Sequence, residues 1–156
     1  MSVRLVVVVL AAATLAAASV ARSSSAGPRV LTVPLLERNG SGQSGTVKLT
    51  VVPKKGKVAA HFVVRLNVSP AAGKYGVAMF AHIHNVSCAQ FGAMTDKSKQ
   101  LATIAIGLNG LAGGRSTTTL YLPLARYANG TSSINVHASD DTYTVVACGD
   151  IPKVTP

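Results

Sequence analysis

Alternation of apolar and polar residues with period two runs through most of the chain and restricts its fold more than any other feature. From Thr46 to Val51, Val47, Leu49 and Val51 alternate with Thr46, Lys48 and Thr50, the pattern of a strand with one face buried and one solvated. Lys57 to Val68 puts Val58, Ala60, Phe62, Val64, Leu66 and Val68 on one face and Lys57, His61, Arg65 and Asn67 on the other. The basic Lys54-Lys55-Gly56-Lys57 link between these runs reads as a solvated hairpin turn. The same test predicts strands near Val30–Glu37, Gly76–His84, Leu101–Leu108, Ser116–Leu122, Ser132–Ala138 and Tyr143–Ile151. Turn-forming clusters separate them at Asn39-Gly40-Ser41-Gly42, Pro70-Ala71-Ala72-Gly73, Asn109-Gly110 with Gly113-Gly114, and Asn129-Gly130. No long stretch carries helical periodicity, so the expected class is all-β, an antiparallel sandwich or barrel of eight short strands.

The N-terminus sets the expected compartment. Met1 to Arg4 is short and basic, Leu5 to Val20 is apolar and Ala-rich, and Ser19-Val20-Ala21 and Ser24-Ser25-Ala26 both fit a small-x-small cleavage site. The apolar run is shorter than the roughly 20 residues a membrane span needs. Residues 1–26 are therefore expected to be a signal peptide, cut after Ala21 or Ala26, and the protein to be secreted. Residues 27–156 then form one domain of 130 of the 156 residues, in which 13 basic side chains face 5 acidic ones. Such a surface attracts anions, which include nucleic acid, cell-envelope polymers, anionic lipid and a small anionic substrate. The basic residues are scattered, Trp is absent and no nucleic-acid motif occurs, so a nucleic-acid partner is not expected. Asn39, Asn67, Asn85 and Asn129 each begin a glycosylation sequon, which matters only in a eukaryotic secretory route.

His82 and His84 are two apart on one predicted strand and leave the same face, while Met79, Ala81 and Ile83 take the core face. In the strand Ser132–Ala138, Ile134 and Val136 take the core and turn His137 outward with Asn135. Three of the four histidines are thus offered on outer strand faces, the imidazole set a copper or zinc site requires. His61 shares its face with Lys57 and Arg65 and is expected to stand apart. Cys88 and Cys148 are the only cysteines, and in an exported chain an even count favours a disulfide. Two free thiols are the plain alternative, and a blue-copper set of two His, Cys88 and Met94 is a third arrangement.

In order along the chain, His82-Ile83-His84, Cys88, Ile134-Asn135-Val136-His137 and Ala147-Cys148-Gly149-Asp150-Ile151 resemble the signature segments of copper/zinc superoxide dismutases. The resemblance spans residues 82–151 and implies the eight-stranded Greek-key barrel of that family. It also implies copper-ligand roles for His82, His84 and His137, and a Cys88–Cys148 disulfide. Asp140 or Asp141 then matches the family's aspartate that orients ligand imidazoles by hydrogen bonding.

The departures are as informative as the matches. No histidine lies between His84 and His137, so the family's bridging histidine and zinc set have no counterpart, and Asp96 alone cannot assemble a zinc site. Val145 stands three residues before the last cysteine, where the family has a substrate-guiding arginine. The chain is also similar to chordin-type domains, which share a His-x-His strand and a later Asn-Val-His strand. Two functions follow from these resemblances. One is a secreted dismutase-like protein holding a single copper through three histidines, without zinc. The other is a non-catalytic sandwich that holds copper or serves as structure, since a shared fold does not fix chemistry.

Overall fold

The computed structural model of the chain describes residues 29–54, 57–66, 78–123, 126–138 and 143–154. The N-terminal segment with both cleavage sites, Lys55-Gly56, and Asp140 and Asp141 lie outside the described residues.

The class is all-β. In chain order the elements are β1 (Arg29–Glu37), β2 (Gly45–Lys54), β3 (Lys57–Leu66), β4 (Ala78–His84), α1 (Cys88–Gly92), α2 (Lys97–Ala102), β5 (Ile104–Ala112), β6 (Arg115–Leu120), β7 (Ser132–His137) and β8 (Val145–Ile151). Every strand pairing is antiparallel. The curled sheet runs β1-β2-β3-β6-β5-β4-β7-β8 and returns to β1 through Leu36↔Cys148 and Glu37↔Ala147. Alternation fills the interior: Val33 and Leu35 of β1, Val47 and Leu49 of β2, Met79, Ala81 and Ile83 of β4, and Ile134 and Val136 of β7 form one core.

Two expectations fail between residues 97 and 114. The strand expected at Leu101–Leu108 begins only at Ile104, because Leu101 belongs to α2. Asp96 caps that helix by accepting from the Ser98 and Lys99 amides, which starts a turn of helix where apolar spacing alone suggested a strand. The Asn109-Gly110 pair lies inside β5, and the turn is Gly113-Gly114 alone, with φ of 56° and 73°. Both values are left-handed, as a two-residue hairpin loop between the paired residues Ala112 and Arg115 demands. Asn109 shows how the β5–β6 seam continues past that pair. Its amide donates to Thr118 Oγ1 (2.8 Å), and its carbonyl accepts from Ser116 Oγ (2.6 Å), so β6 hydroxyls take the place of ladder partners.

The outer face of β4, β7 and β8 is roofed. α1 opens on a reciprocal capping box in which Ser87 Oγ accepts from the Gln90 amide and Gln90 Oε1 accepts from the Ser87 amide. Asp150 Oδ1 accepts from the Cys88 amide at 2.6 Å, and the Cys88–Cys148 disulfide, with Cα atoms 5.9 Å apart, fastens α1 to β8. Cys88, Phe91, Val145 and Cys148 thereby form a second buried cluster, separate from the interior core. Among the described residues no helix is long and apolar enough to cross a membrane.

Candidate metal centre

The β4–β7 register sets His82 opposite Asn135 and Phe80 opposite His137, so His137 is the diagonal neighbour of His82 on the same face. Ring centroids are 5.1 Å apart for His82–His137, 5.7 Å for His84–His137 and 5.9 Å for His82–His84. One nitrogen from each of the three rings lies within 4.8 Å of the others, close enough for the three to bind one metal ion. Three nitrogens sharing an ion at about 2.0–2.1 Å in a tetrahedral or trigonal arrangement lie about 3.3–3.6 Å from one another. Bringing the rings together by up to about 1.5 Å, shared among the three side chains, closes the set.

The histidines take the outer face that strand parity assigns, but two of the three do not face solvent. His84 and His137 are each 1% exposed, and only His82 is half-buried. The reason is the roof: the Phe91 ring stands edge-on to His84 at 4.6 Å and 6.2 Å from His137. Periodicity reports which side of a sheet a residue takes, not what covers that side, and the cover here is brought in by a disulfide and a short helix. The cavity left between His84, His137 and their neighbours is only about 10 Å³, no more than a single water needs.

His84 shows its coordinating atom. Thr103 Oγ1 donates its one proton to Gln100 O (2.7 Å), so at 2.8 Å from His84 Nδ1 it acts as the acceptor. His84 thus carries its proton on Nδ1 and its lone pair on Nε2, and Nε2 is buried without a hydrogen-bond partner. His82 Nδ1 is likewise buried and unpartnered. An orphaned acceptor such as His84 Nε2 carries a desolvation penalty of about 1–3 kcal/mol, which a bound cation relieves. Burial, reinforced by the neighbouring His82, lowers the His84 pKa to about 4, and burial lowers that of His82. Both imidazoles are therefore neutral at physiological pH, the form that ligates a metal.

Access comes from the β5 side. Gly107 pairs with His82, and a Cβ built on Gly107 meets nothing within 4 Å, so the position beside His82 is open. Thr103, Phe91 and Gly107 are the site residues that the sequence did not announce. Ser87-x-x-Gln90 is a legible helix-start signature that could have pointed to α1 and hence Phe91, whereas nothing local links Thr103 or Gly107 to the histidines.

Other candidates are placed differently. Cys88 is in the disulfide, which removes it from a blue-copper set. Asp96 is spent on capping α2. His61 lies on β3, separated from β4 by β6 and β5. Asp140 and Asp141 fall outside the described residues. No protein-family model, curated protein or solved structure matches the chain.

Proposed function

We propose that this chain is an exported, copper-holding protein of the copper/zinc superoxide dismutase-like kind, a Greek-key barrel that carries a single copper on His82, His84 and His137 and has no zinc site. The observation that carries the reading is the buried, unpartnered Nε2 of His84, its tautomer fixed by Thr103, in reach of nitrogens on two other histidines. Three imidazoles suit copper or zinc, and at equal geometry Cu²⁺ binds more tightly than Zn²⁺. Copper in this position supplies a one-electron couple, the chemistry that superoxide dismutation uses. The protein's own part is to hold the His84 proton on Nδ1, exclude water with Phe91, and leave the Gly107 side of His82 open to a small molecule. The 13 basic side chains against 5 acidic ones in residues 27–156 favour a small anion such as superoxide. The disulfide accords with an oxidising, extracytoplasmic location.

The second reading, a copper holder without dismutase activity, is favoured by the tight cover over His84 and His137, which leaves His82 as the one ligand open to approach. Metal analysis of the purified protein, followed by a superoxide assay with and without added copper, separates the two. The dismutase reading expects copper-dependent turnover that slows as salt screens the basic surface. Stoichiometric copper without turnover leaves the holder, and zinc in preference to copper overturns both.

A further inference from the structure

Basic residues that lie scattered along the chain are gathered by the sheet. Lys48 on β2 and Arg115 on β6 are exposed, while Val47, Leu49, Ser116 and Thr118 beside them turn inward, which fixes the outer face of both strands. β3 runs between β2 and β6, and an unbroken register sets Arg65 opposite Arg115 on that outer face. The same parity, carried along the β2–β3 hairpin, sets Lys54 opposite Lys57 on the same face. Two like-charged pairs thus stand directly across strand boundaries, with Lys48 at the register position of Val63 between them. β3 carries this stripe from Lys57 to Arg65, about 26 Å at roughly 3.3 Å per residue.

These strands hold no charge that offsets the stripe. β2, β3 and β6 contain no acidic residue, and none occurs in the sequence between Glu37 and Asp96. Glu37, Asp96 and Asp150 are engaged elsewhere, accepting from the amides of Gly42, Ser98 and Cys88. Like charges set opposite one another weaken a sheet, so two such pairs on one face call for a partner that brings negative charge. A small anion meets one pair at a time, whereas an extended polyanion spans both. Thr46, Thr50, Thr117 and Thr119 take outward positions among the charges and offer hydroxyls to a sugar chain. No Phe, Tyr or Trp takes an outward position on these strands to stack a base or seat in a membrane interface. β1 and β5 separate the three strands from the β4-β7-β8 face that carries the histidines. We propose that the outer face of β2, β3 and β6 docks an anionic polysaccharide, an extended hydroxylated chain whose carboxylates or sulfates pair with Arg65 and Arg115 at one end of the stripe and with Lys54 and Lys57 at the other.

The surface does not depend on a metal, so its test uses metal-free, disulfide-intact protein, and a failure here leaves the copper reading untouched. Dextran sulfate and polygalacturonate are titrated into the protein at physiological salt, with neutral dextran as the uncharged chain. Saturable binding of either polyanion and none of dextran is expected, and the tighter of the two identifies the anionic group. Arg65→Gln/Arg115→Gln and Lys54→Gln/Lys57→Gln should each weaken binding about tenfold or more and make it less steeply dependent on salt, since fewer counterions are released. Both variants remove opposed like charges, so circular dichroism should show an intact fold. Lys97→Gln/Lys99→Gln removes the same charge from α2, where both residues are exposed, and should bind as the wild type does. Equal weakening by all three variants would reduce the effect to net charge and overturn the proposal. So would neutral dextran binding as tightly as the polyanions, inorganic sulfate competing as well as dextran sulfate at equal sulfate concentration, or tighter binding of duplex DNA or of phosphatidylglycerol vesicles. The comparison among chains needs no variant, so a poorly folded substitution cannot shield the idea.

Discussion

Thr103 has one hydroxyl proton, committed to Gln100 O, and His84 depends on that commitment for its tautomer. Thr103→Val keeps the shape and removes the acceptor. The His84 Nδ1–H then loses its partner in a buried place, at a cost of about 1–3 kcal/mol, and the ring is free to turn. Copper affinity should fall by about 10–100-fold, as measured by competition with a chelator of known affinity. An unchanged affinity would mean that Thr103 does not orient the ligand. The pH dependence follows from the same ring. In the unfolded chain His84 takes up a proton near its ordinary value of 6.5, and in the fold only near 4. Between those values the unfolded state binds more protons, so the stability that neutral burial confers is complete above about pH 6.5 and is lost as pH falls toward 4. Melting temperatures of the metal-free protein should hold steady above pH 6.5 and decline below it. A flat profile from pH 7 to 4 would contradict the buried, neutral His84.

At the scale of elements, the roof and the β1–β8 seam carry the arrangement. The disulfide closes 60 residues of chain, and the chain-entropy model assigns such a loop roughly 4 kcal/mol. Reduction should lower the melting temperature and also release α1, exposing Phe91 and His84, which hydrogen exchange at the β4 and β7 amides would report as faster opening. Reduction without either effect would show that Asp150 and the capping box suffice to hold α1. Gly149 of β8 is set against β1 so closely that a Cβ there would collide with Pro34 O and come within 2.9 Å of Val33 Cγ1. The obstacle includes backbone, which cannot swing aside. Gly149→Ala should destabilise the fold by about 1–3 kcal/mol in denaturant unfolding, whereas Gly107→Ala, in open space, should leave stability nearly unchanged. Equal effects of the two would remove the close approach of β1 and β8 from the account.

For the whole molecule, period-two alternation was enough to read the all-β class and to put the three histidines on one side of the sheet, because that parity is a local property of each strand. What alternation could not convey is how the strands neighbour one another. His82 and His137 are 55 residues apart, and only the β4–β7 register makes them diagonal neighbours. Short helices escaped for a different reason: α1 and α2 have five and six residues, too few to display a 3.6-residue period, and their signals lie in caps rather than in hydrophobic spacing. The burial of His84 escaped because a disulfide-tethered segment roofs a face whose residues look polar. One consequence is that alanine at His84 removes a buried side chain as well as a ligand, so the folded state of such a variant has to be verified by circular dichroism before its metal content means anything. The three-histidine copper site is therefore tested by titration of Cu²⁺ into the purified protein, followed by electron paramagnetic resonance, with a folded His82→Ala/His84→Ala variant beside it. One copper per chain, with couplings to imidazole nitrogens, is expected in the wild type and none in the double variant. Undiminished copper binding by the folded double variant would contradict it.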